Sequence, residues 1–315
     1  MHTLEPELRE LNEQGTLDDE TASRAVALDR GEVFSLHGEL RATLYAGVLL
    51  VMAGVGTILA RNIDRLGPVV IVLAVALAAS ACAIPAARAR LAGRTPGVAA
   101  DYLILLAVLL ASADLAYAER QFTLLGPLWS WHLLLLAVVG AAIAYAFGSA
   151  LVLAAALTAL AGWFGVGGTI GDALHAAFST PELGGRALAC AAVIAAWRLA
   201  DKHWRPDTRF SEVFDHFAAN LAFWGSLAWC LEWPWLTAGL PLLAALSYAS
   251  IRRGLETGRE AFLVYGVGYA ALGVCFVVVP RLDGTTATMA LVLVVVCVAA
   301  TVLWQLRRRL REPLP

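Results

Sequence analysis

The sequence predicts an all-α integral membrane protein, with about ten transmembrane helices behind a short N-terminal helical hairpin, and three observations carry that prediction. Of 315 residues, 60% are hydrophobic and only 15% are charged, against roughly half and roughly a quarter in a soluble domain. The mean hydropathy of +0.71 comes from long apolar blocks, not from the stripes that line one face of a water-exposed helix. Arginine, finally, is concentrated on alternate connections between those blocks. A water-soluble globule is excluded, and no basic stripe suggests nucleic acid.

Residues 1–41 alone have soluble character, with ten acids and four arginines giving a charge of −6. Leu4, Leu8 and Leu11 repeat at helical spacing and Gly15 is a stop signal. Thr16 and Asp19 then form a capping box ahead of a second run holding Leu17, Val26 and Leu28. The expectation is a helical hairpin whose second helix continues through Phe34 and Leu40 into the first span, because no proline or loop cluster intervenes.

A spanning helix needs about 20 mainly apolar residues. The segments 42–60, 67–87, 99–118, 129–147, 149–166, 184–200, 214–231, 234–251, 261–279 and 286–305 meet that need. Residues 131–166 hold 36 positions without Asp, Glu, Lys or Arg. Unbroken, they would form about 54 Å of helix against a hydrocarbon core about 30 Å thick. The block must fold back, most simply at Phe147-Gly148-Ser149. A second tight junction falls at Glu232-Trp233-Pro234, since proline disfavours helix for the residue before it. Pro85 reads as a kink or a terminus of the second span, and residues 306–315 read as a basic tail.

Ten spans place both chain ends on one side of the membrane. Counting span ends with their connections, that side carries 18 Lys or Arg and the opposite side 5. Cytoplasmic loops attract the positive residues, so both ends are expected in the cytoplasm, with residues 42–305 as the bundle. Trp129, Trp131, Trp163, Trp229, Trp233 and Trp235 then fall at outer ends, and Trp197, Trp204 and Trp304 at inner ends.

Charge inside hydrocarbon costs on the order of 2.5–3.5 kcal/mol, which makes any such residue a candidate site. Asp114 lies within the third span, toward its outer end, and His132 begins the fourth span on that side, where the two are expected to approach. Asp215, His216 and Asn220 open the seventh span from the cytoplasmic side, behind a polar loop that includes Asp201, Lys202, His203 and Glu212. The simpler reading of both groups is interfacial polar side chains bonded to each other and to water. Outer-loop positions Asp172, His175, Glu232 and Asp283 read as solvent contacts. The five cysteines form no CxxC pair and read as small hydrophobes. No metal-ligand spacing, phosphate-binding loop or G-x-S-x-G nucleophile turn is present, so no cofactor is expected. Small residues at four-residue spacing, Gly140, Ala144 and Gly148, then Gly266 and Ala270, predict close helix packing.

Several local patterns have a family likeness. After Leu8, Leu11 and Gly15 comes a Gly-rich first span with Tyr45-Ala46-Gly47 and Gly54-Val55-Gly56, then Asn62-Ile63-Asp64-Arg65-Leu66-Gly67-Pro68. Gln121-Phe122 precedes Trp131, and Tyr145-Ala146-Phe147-Gly148-Ser149-Ala150 follows. Over about residues 4–165 the chain resembles the bacterial predicted membrane proteins grouped as domain of unknown function 2157. That family usually has tryptophan at the place of Ile63 and tyrosine at the place of Phe122. The resemblance implies a multi-pass protein of the bacterial inner membrane and brings no catalytic residues. The function expected is that of a non-enzymatic membrane component whose hairpin, residues 1–41, meets a cytoplasmic or membrane protein partner. A transporter or channel using Asp114, His132, Asp215, His216 and Asn220 is the second reading. A lipid-acting enzyme is the third.

Overall fold

The computed structural model describes residues 36–92, 97–123, 126, 131–166, 181–204, 210–231, 234–282 and 284–311, with Thr21 and Ser23 singly, and among these described residues it has ten α-helices and one 3-10 turn. The helices are α1 Leu36–Leu66, α2 Pro68–Leu91, α3 Val98–Phe122, α4 Trp131–Phe147, α5 Ala150–Trp163, α6 Pro181–Trp204, α7 Ser211–Leu231, α8 Leu236–Thr257, α9 Glu260–Val278 and α10 Thr285–Arg311. Among the described residues there is no strand. The hairpin expected at 1–41 lies outside the described residues, apart from Thr21, Ser23 and the start of α1. Asp172, His175, Glu232 and Asp283 lie outside them too.

Among the described residues six helices are long and apolar enough to cross a membrane by length and composition: α1, α2, α3, α6, α9 and α10. The apolar α4 and α5 are shorter, at 17 and 14 residues. The chain divides into two units, Met1–Asp114 and Leu115–Pro315, with the boundary inside α3.

In the first unit, Gly67 takes φ +69° and Pro68 opens α2, so the chain turns out of α1 with the proline at a helix start, where its missing N–H costs nothing. The buried residues Ile71, Val75, Ala79 and Ala86 form one stripe along α2. Pro85 ends nothing: the helix runs through it to Leu91, and the Ala92 N–H closes the last turn on the Arg88 carbonyl.

The second unit folds back on itself helix by helix. α4 ends at Phe147, Gly148 takes φ +68°, and Ser149 caps α5 by accepting a hydrogen bond from the Val152 N–H at 3.2 Å. A left-handed glycine and a serine cap thus break the charge-free block where the length argument requires it. Side-chain contacts then fix the ends that meet. Tyr145 near the end of α4 donates to Asp201 near the end of α6 at 2.7 Å, and its ring meets Trp197 and Phe210. At the opposite end Trp131 of α4 lies 6.1 Å from Trp163 of α5, and Trp229 of α7 lies 5.3 Å from Trp235 before α8.

α7 is the hub, touching α5, α6, α8 and α9. Phe214, Phe223 and Leu227 are fully enclosed along it, and Phe223, Leu227, Cys230 and Leu243 form a cluster against α8. The α6–α7 crossing depends on two glycines, since a Cβ on Gly184 would lie 2.9 Å from the Gly225 carbonyl oxygen, and one on Gly225 would lie 2.8 Å from that of Gly184. Neither pair of small residues singled out by spacing is responsible for this contact. A Cβ on Gly140 would lie 3.1 Å from the Ala156 Cβ, and one on Gly266 would lie 2.8 Å from the Ser247 carbonyl oxygen of α8. Cys190 and Cys230 are buried as expected of small hydrophobes, whereas Cys297 is exposed on α10. α10 continues through Arg311, so residues 306–311 are helical.

Candidate functional site

One end of the second unit gathers the termini of α6, α7, α8 and α9, and here three charges from three helices converge. Asp215, in the second turn of α7, is enclosed, its side chain 5% exposed. Arg198 of α6 pairs with it twice, through Nε to Oδ1 and through Nη2 to Oδ2 at 3.1 Å. Arg253 of α8 donates from Nη2 to the same Oδ2 at 2.5 Å, and its guanidinium lies 5.4 Å from the centre of the Phe262 ring of α9. A buried carboxylate held by two guanidiniums has its desolvation offset by charge-assisted hydrogen bonds, and each removed partner would leave an uncompensated charge.

A second layer runs along the α7–α9 seam. The His216 ring stacks on Phe262 at 5.5 Å, and its Nδ1 is hydrogen-bonded to the Tyr265 hydroxyl at 3.1 Å. One turn further, Asn220 donates to the His216 carbonyl at 2.8 Å and accepts from the Tyr269 hydroxyl at 2.7 Å. Tyr269 in turn stacks on Phe223 at 4.5 Å. Ser250 ties α8 to α9 by donating to the Phe262 carbonyl at 2.7 Å. Asp215, His216 and Asn220 therefore form one continuous polar edge of α7, each member partnered by a different helix or helix turn.

Beside Asp215, between α6, α7 and α8, lies a cavity of about 520 Å³. Arg198, Asp215 and Arg253 line its charged end, and Ala191, Ala195, Ala218, Ala219 and Ala222 give it a small-residue apolar floor. Further out, Arg252 pairs with Glu256, Arg259 with Glu212 and Arg307 with Glu260. Among the described residues no group of three His, Cys, Asp or Glu is placed to hold a metal ion.

Asp114 is the last residue of the first unit, and its Oδ1 is buried without a hydrogen-bond partner. His132 is buried at the start of α4 in the second unit. Glu119, near the end of α3, is also buried and accepts from the Gly126 N–H at 2.9 Å. Sequence reasoning missed Arg198, Arg253, Phe262, Tyr265 and Tyr269. The signal available was depth: Arg198, Asp215 and Arg253 each stand a turn or two inside the same end of consecutive helices.

A family model described as predicted membrane protein (DUF2157) matches residues 9–169. No curated protein and no solved structure matches the chain. The Asp215 cluster lies C-terminal to the matched segment. That segment covers just over half of the 315 residues and takes in α1 to α5. The chain belongs to the DUF2157 family of predicted membrane proteins.

Proposed function

We propose that the protein is a non-enzymatic, ten-span component of the bacterial inner membrane with both ends in the cytoplasm, acting by binding, with the acidic hairpin of residues 1–41 as the surface that meets a protein partner or regulates the bundle of residues 42–305. Internal satisfaction of the Asp215 cluster is the observation that carries this reading. Two guanidiniums neutralise Asp215, Tyr265 occupies His216 Nδ1, and Asn220 is used on both sides of its amide. Such an arrangement holds helices together and leaves no poised base.

The span count is supported by the agreement between ten helices and ten apolar segments. α7 and α8, with 21 and 22 residues, are about 32 Å long, enough for the hydrocarbon core, although polar groups at one end lower their hydropathy. α4 and α5 reach only about 26 and 21 Å and cross beside longer neighbours with local thinning of the bilayer. The arginine-rich end of α6, α8 and α10 then faces the cytoplasm. Deleting residues 1–36 tests the hairpin. The truncated protein is expected to insert normally and lose its bound partner; an unchanged partner set and phenotype would overturn the reading.

A second reading, a transporter or channel for a small solute, is favoured by the unpartnered Asp114 Oδ1 and by the cavity beside Asp215. In reconstituted vesicles it requires a solute flux that Asp114→Asn abolishes. A flux that survives this change removes Asp114 and His132 as the outer gate.

A further inference from the structure

We propose that the cavity over α7 binds one anionic phospholipid, with the phosphate on Arg253 and Arg198 and an acyl chain along the alanine floor. This goes beyond the role proposed above and requires only that this end of the bundle lies at headgroup level, in either leaflet. Charge is the first argument. Asp215 is shared by two guanidiniums, so the charged residues that line this end of the cavity, Arg198, Asp215 and Arg253, carry net positive charge. Arg253 is 42% exposed and commits one Nη to Asp215, which leaves the remainder of its donor fork for a second anion. Because both arginines bond the same Oδ2, they are held side by side, as a phosphate group needs.

Shape is the second argument. From Asp215 to Phe223 the floor runs about 12 Å along the α7 axis. Ala218, Ala219 and Ala222 keep it shallow and apolar, and the volume of about 520 Å³ is of the size that holds a ligand. A free phosphate would use the arginines and leave the floor bare, whereas a lipid uses both. Basic pockets between transmembrane helices take lipid headgroups in this way.

The test uses the full chain in mixed micelles of phosphatidylglycerol and phosphatidylcholine at equal mole fraction, with retained lipid counted by native mass spectrometry. Wild type is expected to retain phosphatidylglycerol about fivefold over phosphatidylcholine, the preference that one cation gives at an anionic surface. Arg253→Gln, which leaves Asp215 paired with Arg198, is expected to bring the ratio close to one, and Arg253→Lys to restore part of it. Ala219→Leu fills the floor without touching a charge and is expected to lower retention of both lipids. Equal retention by wild type, or an unchanged ratio in Arg253→Gln, overturns the proposal. So does complete displacement of the lipid by millimolar inorganic phosphate, which assigns the arginines to a free anion. A lipid-free dimer that Ala219→Leu dissociates overturns it as well and gives the floor to a second copy.

Discussion

α7 and α10 belong to the same unit, yet they are built for opposite surroundings. Along the most apolar window of α10 no residue is buried within the protein, and Leu293, Val294, Val296 and Val298 are all more than half exposed. Every one of those side chains must suit lipid, so hydropathy recognises the helix at once. α7 touches four other helices and buries Phe214, Phe223, Leu227 and a carboxylate. Its surroundings are protein, where a charge is tolerated if partners reach it. Hydropathy reports what faces lipid. α7, the helix that organises the bundle, is like α8 not among the six described helices that are long and apolar enough by themselves.

Breaking α7 at its charge should have the largest effect. Asp215→Ala leaves two arginines facing each other, and is expected to destabilise by about 3 to 4 kcal/mol in equilibrium unfolding in detergent, the low part of the range for a broken buried pair because both arginines keep some exposure. Next comes the reverse experiment on α10. Val298→Asp puts a carboxylate into lipid with no partner and is expected to cost about 3 kcal/mol in a membrane-insertion assay, whereas Val298→Leu at the same place stays within about 0.5 kcal/mol. Gly225→Val drives a side chain into the Gly184 carbonyl, and about 2 kcal/mol of overpacking should appear as a lower unfolding midpoint. Tyr269→Phe removes one donor from Asn220 and should cost about 1 kcal/mol, the usual size of an interhelical hydrogen bond in a membrane. A large loss from Val298→Leu would show that α10 is packed after all and erase the contrast.

Much of this architecture is readable from composition and spacing. The apolar segments locate every described helix, and the glycine-serine break at 148–149 follows from hydrocarbon thickness alone. Asp215, His216 and Asn220 are visible because polar residues at the edge of a span are rare. Their partners are not visible, since Arg198, Arg253, Tyr265 and Tyr269 stand 17 to 49 residues away from the groups they bond. No local spacing encodes a contact made by folding separate helices together. Of the two readings of Pro85, α2 excludes the terminus by running on to Leu91, since a proline inside a packed or lipid-facing helix is accommodated.

The central claim is that α7 and α8 cross the membrane, as the apolar segments 214–231 and 234–251 predict, although neither is among the six described helices that are long and apolar enough by themselves. Reporter fusions placed after Trp204, Trp233 and Thr257 test it most directly. The expected result is cytoplasmic, external and cytoplasmic in that order. Three signals from one compartment would contradict it, leaving α7 and α8 as a hairpin on a single side and the arginine-bridged Asp215 away from the lipid headgroups.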